Sequence, residues 1–136
     1  MFSFAPGSAG APARSIILVV EDFRPLLQGM KSVLEAAHYH VLPANTPESA
    51  LHLSRAYPKV IRLLIARLVM PGMSGPELLS KVRAHSPDAA VLYTSDDSPQ
   101  WAKGPLKSEV SEFLLPNPFT DEIFLERVRA ALNSSG

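Results

Sequence analysis

The sequence contains no cysteine. That excludes a disulfide framework, a thiolate nucleophile and any cysteine-ligated metal. Charge of one sign is missing too: 13 basic and 13 acidic residues give a formal net charge of zero. Such a balance gives no sign of a nucleic-acid or anionic-membrane surface. No apolar run reaches the roughly 18 residues of a membrane span. The first residues lack the basic and apolar regions of a secretory signal. No internal repeat occurs, and there is a single tryptophan. A cytoplasmic location, with no membrane and no nucleic acid as partner, is the expectation.

What is present fits one globular domain. The chain has 136 residues, of which 46% are hydrophobic and 19% charged, enough length and apolar content to bury a core. Residues 1–14 (MFSFAPGSAGAPAR) are rich in Ala, Pro, Gly and Ser and read as a flexible tail. The domain is expected over 15–133, with 134–136 as a short tail.

The apolar, β-branched run at 16–20 (IILVV) suits a strand buried on both faces. Pro25 opens a helical stripe of Leu26, Leu27, Met30, Val33, Leu34 and Ala37. Residues 39–44 read as a second strand, at an edge because of Pro43. Thr46 and Pro47 look like a cap and first turn, followed by Ala50, Leu51 and Ser54. A third strand covers 62–66. Gly75, Pro76 and Glu77 start a helix bearing Leu78, Leu79 and Val82. A fourth strand covers 89–94. Pro99, Gly104 and Pro105 limit 95–108 to a short or irregular turn. A fifth strand covers 112–116. Thr120 or Asp121 caps a last helix, with Ile123, Phe124, Val128, Ala131 and Leu132 inward. Strands alternating with helices predict an α/β fold: a doubly wound, five-stranded parallel sheet in the order 2-1-3-4-5, helices on both faces.

Several blocks in this order resemble the receiver domains of two-component response regulators: ILVVED, LVMPGMSGPELL, VLYTS and FLLPNPFT. The resemblance runs over roughly 15–132. The GPELL and LLPNPF forms look most like receivers of hybrid sensor kinases. In that family an aspartate ending the third strand accepts a phosphoryl group, and two acidic residues after the first strand hold Mg²⁺ with it. A Thr or Ser after the fourth strand binds the phosphoryl oxygen, and a lysine before a proline after the fifth pairs with it. By resemblance, Glu21 and Asp22 are the acidic pair and Thr94 the switch hydroxyl. Arg67 stands at the acceptor position and Asn117 at the lysine position. Arginine cannot carry an acyl phosphate, and its cation stands where a metal would bind. The resemblance therefore implies a pseudo-receiver with no catalytic residue, no Mg²⁺ and no other cofactor. Arg67 would serve as counter-charge to Glu21 and Asp22. The Asn117–Pro118 bond should be cis, as is common in the family.

Each of these residues also has a plainer role open to it. Arg67 could reach solvent unpaired, Thr94 could bond only to backbone, and Asp96 and Asp97 could be solvated or compete for Arg67. The four histidines at 38, 40, 52 and 85 show no metal spacing. The function expected is phosphorylation-independent signalling through a protein partner: a sensor kinase, another signalling protein or a second copy. The candidate partner surface comprises Trp101, Leu106, Val110, Leu114, Phe119 and Glu122. Leu114 occupies the place of the family's switch aromatic, which puts aromatic switching in doubt. The alternatives are a regulatory domain binding a small anion or metabolite through Arg67 and Asn117, and a receiver phosphorylated at an unorthodox site. Met1 favours a stand-alone regulator over an excised domain, with output through partners because no DNA-binding domain follows.

Overall fold

Five short strands and four helices account for the residues that the computed structural model describes, 15–96 and 113–134. In chain order they are β1 (Ile16–Val20), α1 (Arg24–Ala36), β2 (His40–Ala44), α2 (Pro47–Ala56), β3 (Ile61–Arg67), α3 (Gly75–Arg83), β4 (Ala90–Ser95), β5 (Leu114–Pro116) and α4 (Asp121–Ser134). The strands form one parallel sheet in the order β2-β1-β3-β4-β5. This is the doubly wound arrangement the alternation of elements predicts. The proposed tail at 1–14, and Trp101, Leu106 and Val110, lie outside the described residues.

Because side chains alternate across a strand, the continuous apolar runs supply both faces of the sheet. Leu18, Val20, Leu64, Ala66, Val91 and Tyr93 pack on the side of α2 and α3. Ile17, Val19, Leu63, Ile65, Leu92 and Leu115 pack on the other side with Leu34 of α1 and Phe124 of α4. Pro43 is accommodated because β2 lies at the edge.

Three of the four helices, all but α1, start where a side chain supplies an acceptor for a free N–H group. The Thr46 hydroxyl accepts from the Ser49 amide at 3.0 Å. Ser74 and Glu77 form a reciprocal capping box before α3. Thr120 accepts from the Ile123 amide at 3.1 Å, settling which residue caps α4. Among the described residues no helix is long and apolar enough to cross a membrane.

Three expectations need correction. Ile123, assigned inward, is exposed; the helical stripe continues through Phe124 and Val128 instead. Phe113, assigned to the fifth strand, precedes it and is exposed. Leu114, assigned to the partner surface, is buried in the core beside Tyr93. Of the other surface candidates, Phe119 is half-buried and stacks on Phe124 at 5.3 Å between centroids, whereas Glu122 is exposed.

Candidate functional site

The parity of the strands decides which side chains meet. Glu21 continues the alternation of Ile17 and Val19, and Arg67 that of Leu63 and Ile65. Thr94 follows Ala90 and Leu92, and Asn117 follows Leu115. All four therefore belong to the face covered by α1 and α4, at the C-terminal edge of the sheet. The register Val20↔Ala66 sets Glu21 beside Arg67, and Arg67↔Thr94 sets the next rung. Ser95↔Pro116 then brings Asp96 beside Asn117. Ladder bonds continue past the strands: the Glu21 amide donates to Ala44 O, the Leu68 amide to Thr94 O and the Asn117 amide to Ser95 O.

The guanidinium of Arg67 sits between two carboxylates. Its Nη1 lies 3.6 Å from Glu21 Oε1. Its principal partner is Asp96, gripped through both nitrogens: Nη1 donates to Oδ1 at 3.3 Å and Nη2 donates to Oδ2. Asn117 Nδ2 donates to the same Oδ1 at 3.2 Å. Asp96 thus ties the ends of β3, β4 and β5. Among the described residues no direct contact joins Arg67 to Asp22, which is exposed. The sequence reading centred Arg67 on Glu21 and Asp22 and held Asp96 only as a competitor. The signal for Asp96 was there: two residues beyond Thr94, it returns to the same face. Asp97 lies outside the described residues.

Burial sets the electrostatics. The Glu21 side chain is 0% exposed. Its Oε2 accepts from the Phe23 amide at 2.9 Å, while Oε1 has no hydrogen-bond donor among the described residues. Desolvation raises the Glu21 pKa above its ordinary value; hydrogen bonding with Asp22 also raises it, and the Phe23 amide and Arg67 oppose the shift. Asp96 moves the other way, held below its ordinary value chiefly by its hydrogen bond from Arg67. The Thr94 hydroxyl is also buried, without a hydrogen-bond partner among the described residues.

The loop after β3 is shaped to fit. Gly72 adopts φ +82°, a region glycine enters without strain. Gly75 has no room for a side chain: a Cβ would stand 2.6 Å from Arg67 O and 2.9 Å from the Tyr93 ring. The Asn117–Pro118 peptide is cis, as the resemblance implies. Among the described residues no group of three or more His, Asp or Glu side chains is gathered for a metal.

Residues 17–129 match the family model described as the response regulator receiver domain. The chain belongs to that family. This receiver is 33% identical over 122 residues to the regulatory protein VanRB of Enterococcus faecalis, covering 88% of the chain and 53% of VanRB. It is 33% identical over 126 residues to histidine kinase P4 of Formosa agariphila, covering 89% of the chain but 9% of the kinase. The chain thus spans about half of one relative and a small part of the other. Among solved structures, the receiver domain of the hybrid histidine kinase CckA superimposes with a TM-score of 0.70 at 31% identity, covering 87% of this chain and 99% of that one. Receivers are modules of two-component signalling that interact with proteins such as histidine kinases, and the family is generally non-enzymatic.

Proposed function

We propose that this receiver signals without being phosphorylated, as a pseudo-receiver whose output is protein–protein interaction. The observation that carries the reading is Arg67 at the end of β3, committed to Asp96 and 3.6 Å from Glu21. The family accepts its phosphoryl group at that position. A guanidinium holds its proton throughout the accessible pH range and offers no oxygen for an acyl phosphate. Asn117, at the lysine position, is neutral, so the cation that the family directs at the phosphoryl oxygens is also missing.

The same residues do not fit Mg²⁺. That ion asks for oxygen ligands at about 2.0–2.1 Å in near-octahedral geometry. Here one carboxylate of the family's set is replaced by a cation beside Glu21. The counter-charge is supplied by the side chain, and no step runs through a metal.

A small anion at Arg67 and Asn117 is the weaker reading, because both already donate to Asp96. An added anion would have to displace a tethered carboxylate beside Glu21. A protein partner, either a sensor kinase or another signalling protein, or a second copy of the chain, is the better-supported output, acting in the cytoplasm.

Treatment with a small phosphodonor and Mg²⁺, read by intact mass, tests the reading. The expected result is no added phosphoryl group. A stable added phosphoryl mass on an Asp or Glu at the strand ends would overturn it.

A further inference from the structure

A groove of about 280 Å³ lies between the loops that follow β1, β2 and β3. In this strand order the winding reverses between β1 and β3, and doubly wound sheets open a crevice beyond the strand ends at such a point. Val20, Pro47, Met70 and Pro71 give the groove apolar walls, and Asp22 and Glu48 add two carboxylates. Among the described residues no Lys, Arg or His lines it. Arg24 lines a neighbouring groove instead. Arg67 belongs to the opposite face of the sheet and is engaged by Asp96. Among the described residues no ion pair engages Asp22 or Glu48.

We propose that this groove is a socket for one arginine or lysine side chain presented by a protein partner. The inference rests on the protein-interaction reading above and supplies the partner's chemistry. The volume falls just below the roughly 300–1,000 Å³ of small-molecule pockets, so one long side chain is a better match than a cofactor. Arginine and lysine combine an apolar stem with a charged tip, which matches apolar walls carrying Asp22 and Glu48. The charge at the groove itself favours a cation, since Asp22 and Glu48 are the charged groups among its described lining residues. The loops after β1 and β3 also expose Phe23, 61% accessible, and Val69, 73% accessible. Residues flanking the inserted side chain would cover them.

The test titrates the full chain with Nα-acetyl-arginine N-methylamide, followed by amide chemical shifts. Its control is the citrulline analogue, which keeps the shape and removes the charge. Saturable shifts are expected at the amides of Asn45, Thr46, Glu48 and Met70, with the citrulline compound binding about fivefold more weakly or worse. Asp22→Asn combined with Glu48→Gln should weaken the arginine compound by a similar factor, and added salt should weaken it further. Both positions are exposed, and the variant's amide spectrum reports that it is folded. Equal binding of the two compounds, shifts centred elsewhere, insensitivity to the double substitution or no saturable binding would each overturn the socket. None of these outcomes involves phosphorylation. A parent chain that takes up a phosphoryl group overturns the proposed function by a separate readout.

Discussion

At the scale of single residues, the feature that organises the site is a buried carboxylate beside a shared guanidinium. Among the described residues one Glu21 oxygen has no donor, and Arg67 is the cation that pairs with it, at 3.6 Å. Arg67→Ala should therefore destabilise the fold by about 1–3 kcal/mol, below the cost of breaking a fully buried pair because Asp96 is largely exposed. Adding Glu21→Gln should recover part of that loss, since the charge left unpaired is removed. Urea unfolding of the two single variants and the double checks this; strictly additive effects would detach Arg67 from Glu21. The pKa directions give a second expectation. Glu21 binds its proton more tightly folded than unfolded, so its contribution is fully present below its ordinary value of 4.5 and is lost as pH rises through the raised folded value. Asp96 has the opposite sign: its contribution is present above its ordinary value of 3.8 and lost as pH falls through the lowered one. The windows do not overlap. Stability measured from pH 4.5 upward should fall less with pH in Glu21→Gln than in the parent, and equal slopes would contradict the assignment.

At the scale of elements, sequence periodicity located the strands because continuous apolar runs have one good home, a sheet covered on both sides. Run and observation differ by a residue or two: β2 begins at His40 rather than Tyr39, β3 gains Ile61 and Arg67, and β4 starts at Ala90 and gains Ser95. Ile123 was misassigned because hydrophobicity was read without phase: Phe124 and Val128 already fill the inward stripe of α4. The partnership of Arg67 with Asp96 was only half legible, because it depends on where the chain turns after β4. The need for glycine at 75 was not legible at all, since it arises from the approach of α3 to Arg67 O and Tyr93. Gly75→Ala should cost about 1–3 kcal/mol through overpacking, visible as a lowered melting temperature; an unchanged one would mean that the loop yields freely. Ser54 makes the converse case. Its hydroxyl is buried in α2 with no partner among the described residues, so Ser54→Ala should be neutral or stabilising by up to about 1 kcal/mol. A clear loss in urea unfolding would reveal a bond to that hydroxyl.

At the scale of the whole molecule, the proposed function separates the receiver fold from the family's phosphoryl chemistry. The parallel sheet is that of the family, while the positions that the resemblance implies for acceptor and lysine carry Arg67 and Asn117. The proposed account is that these two changes, and nothing else in the fold, remove phosphoryl transfer. Restoring them should then restore it. The deciding measurement is the intact mass of four proteins after a small phosphodonor with Mg²⁺: the parent, Arg67→Asp, Asn117→Lys and the double variant. The parent and Asn117→Lys should gain no phosphoryl group, and Arg67→Asp little or none. The double variant should gain one, in a yield exceeding the two single variants together, because nucleophile and cation act as a unit. A phosphorylated parent would contradict the account outright; a folded double variant that stays unmodified would show that Arg67 and Asn117 are not what silences this receiver.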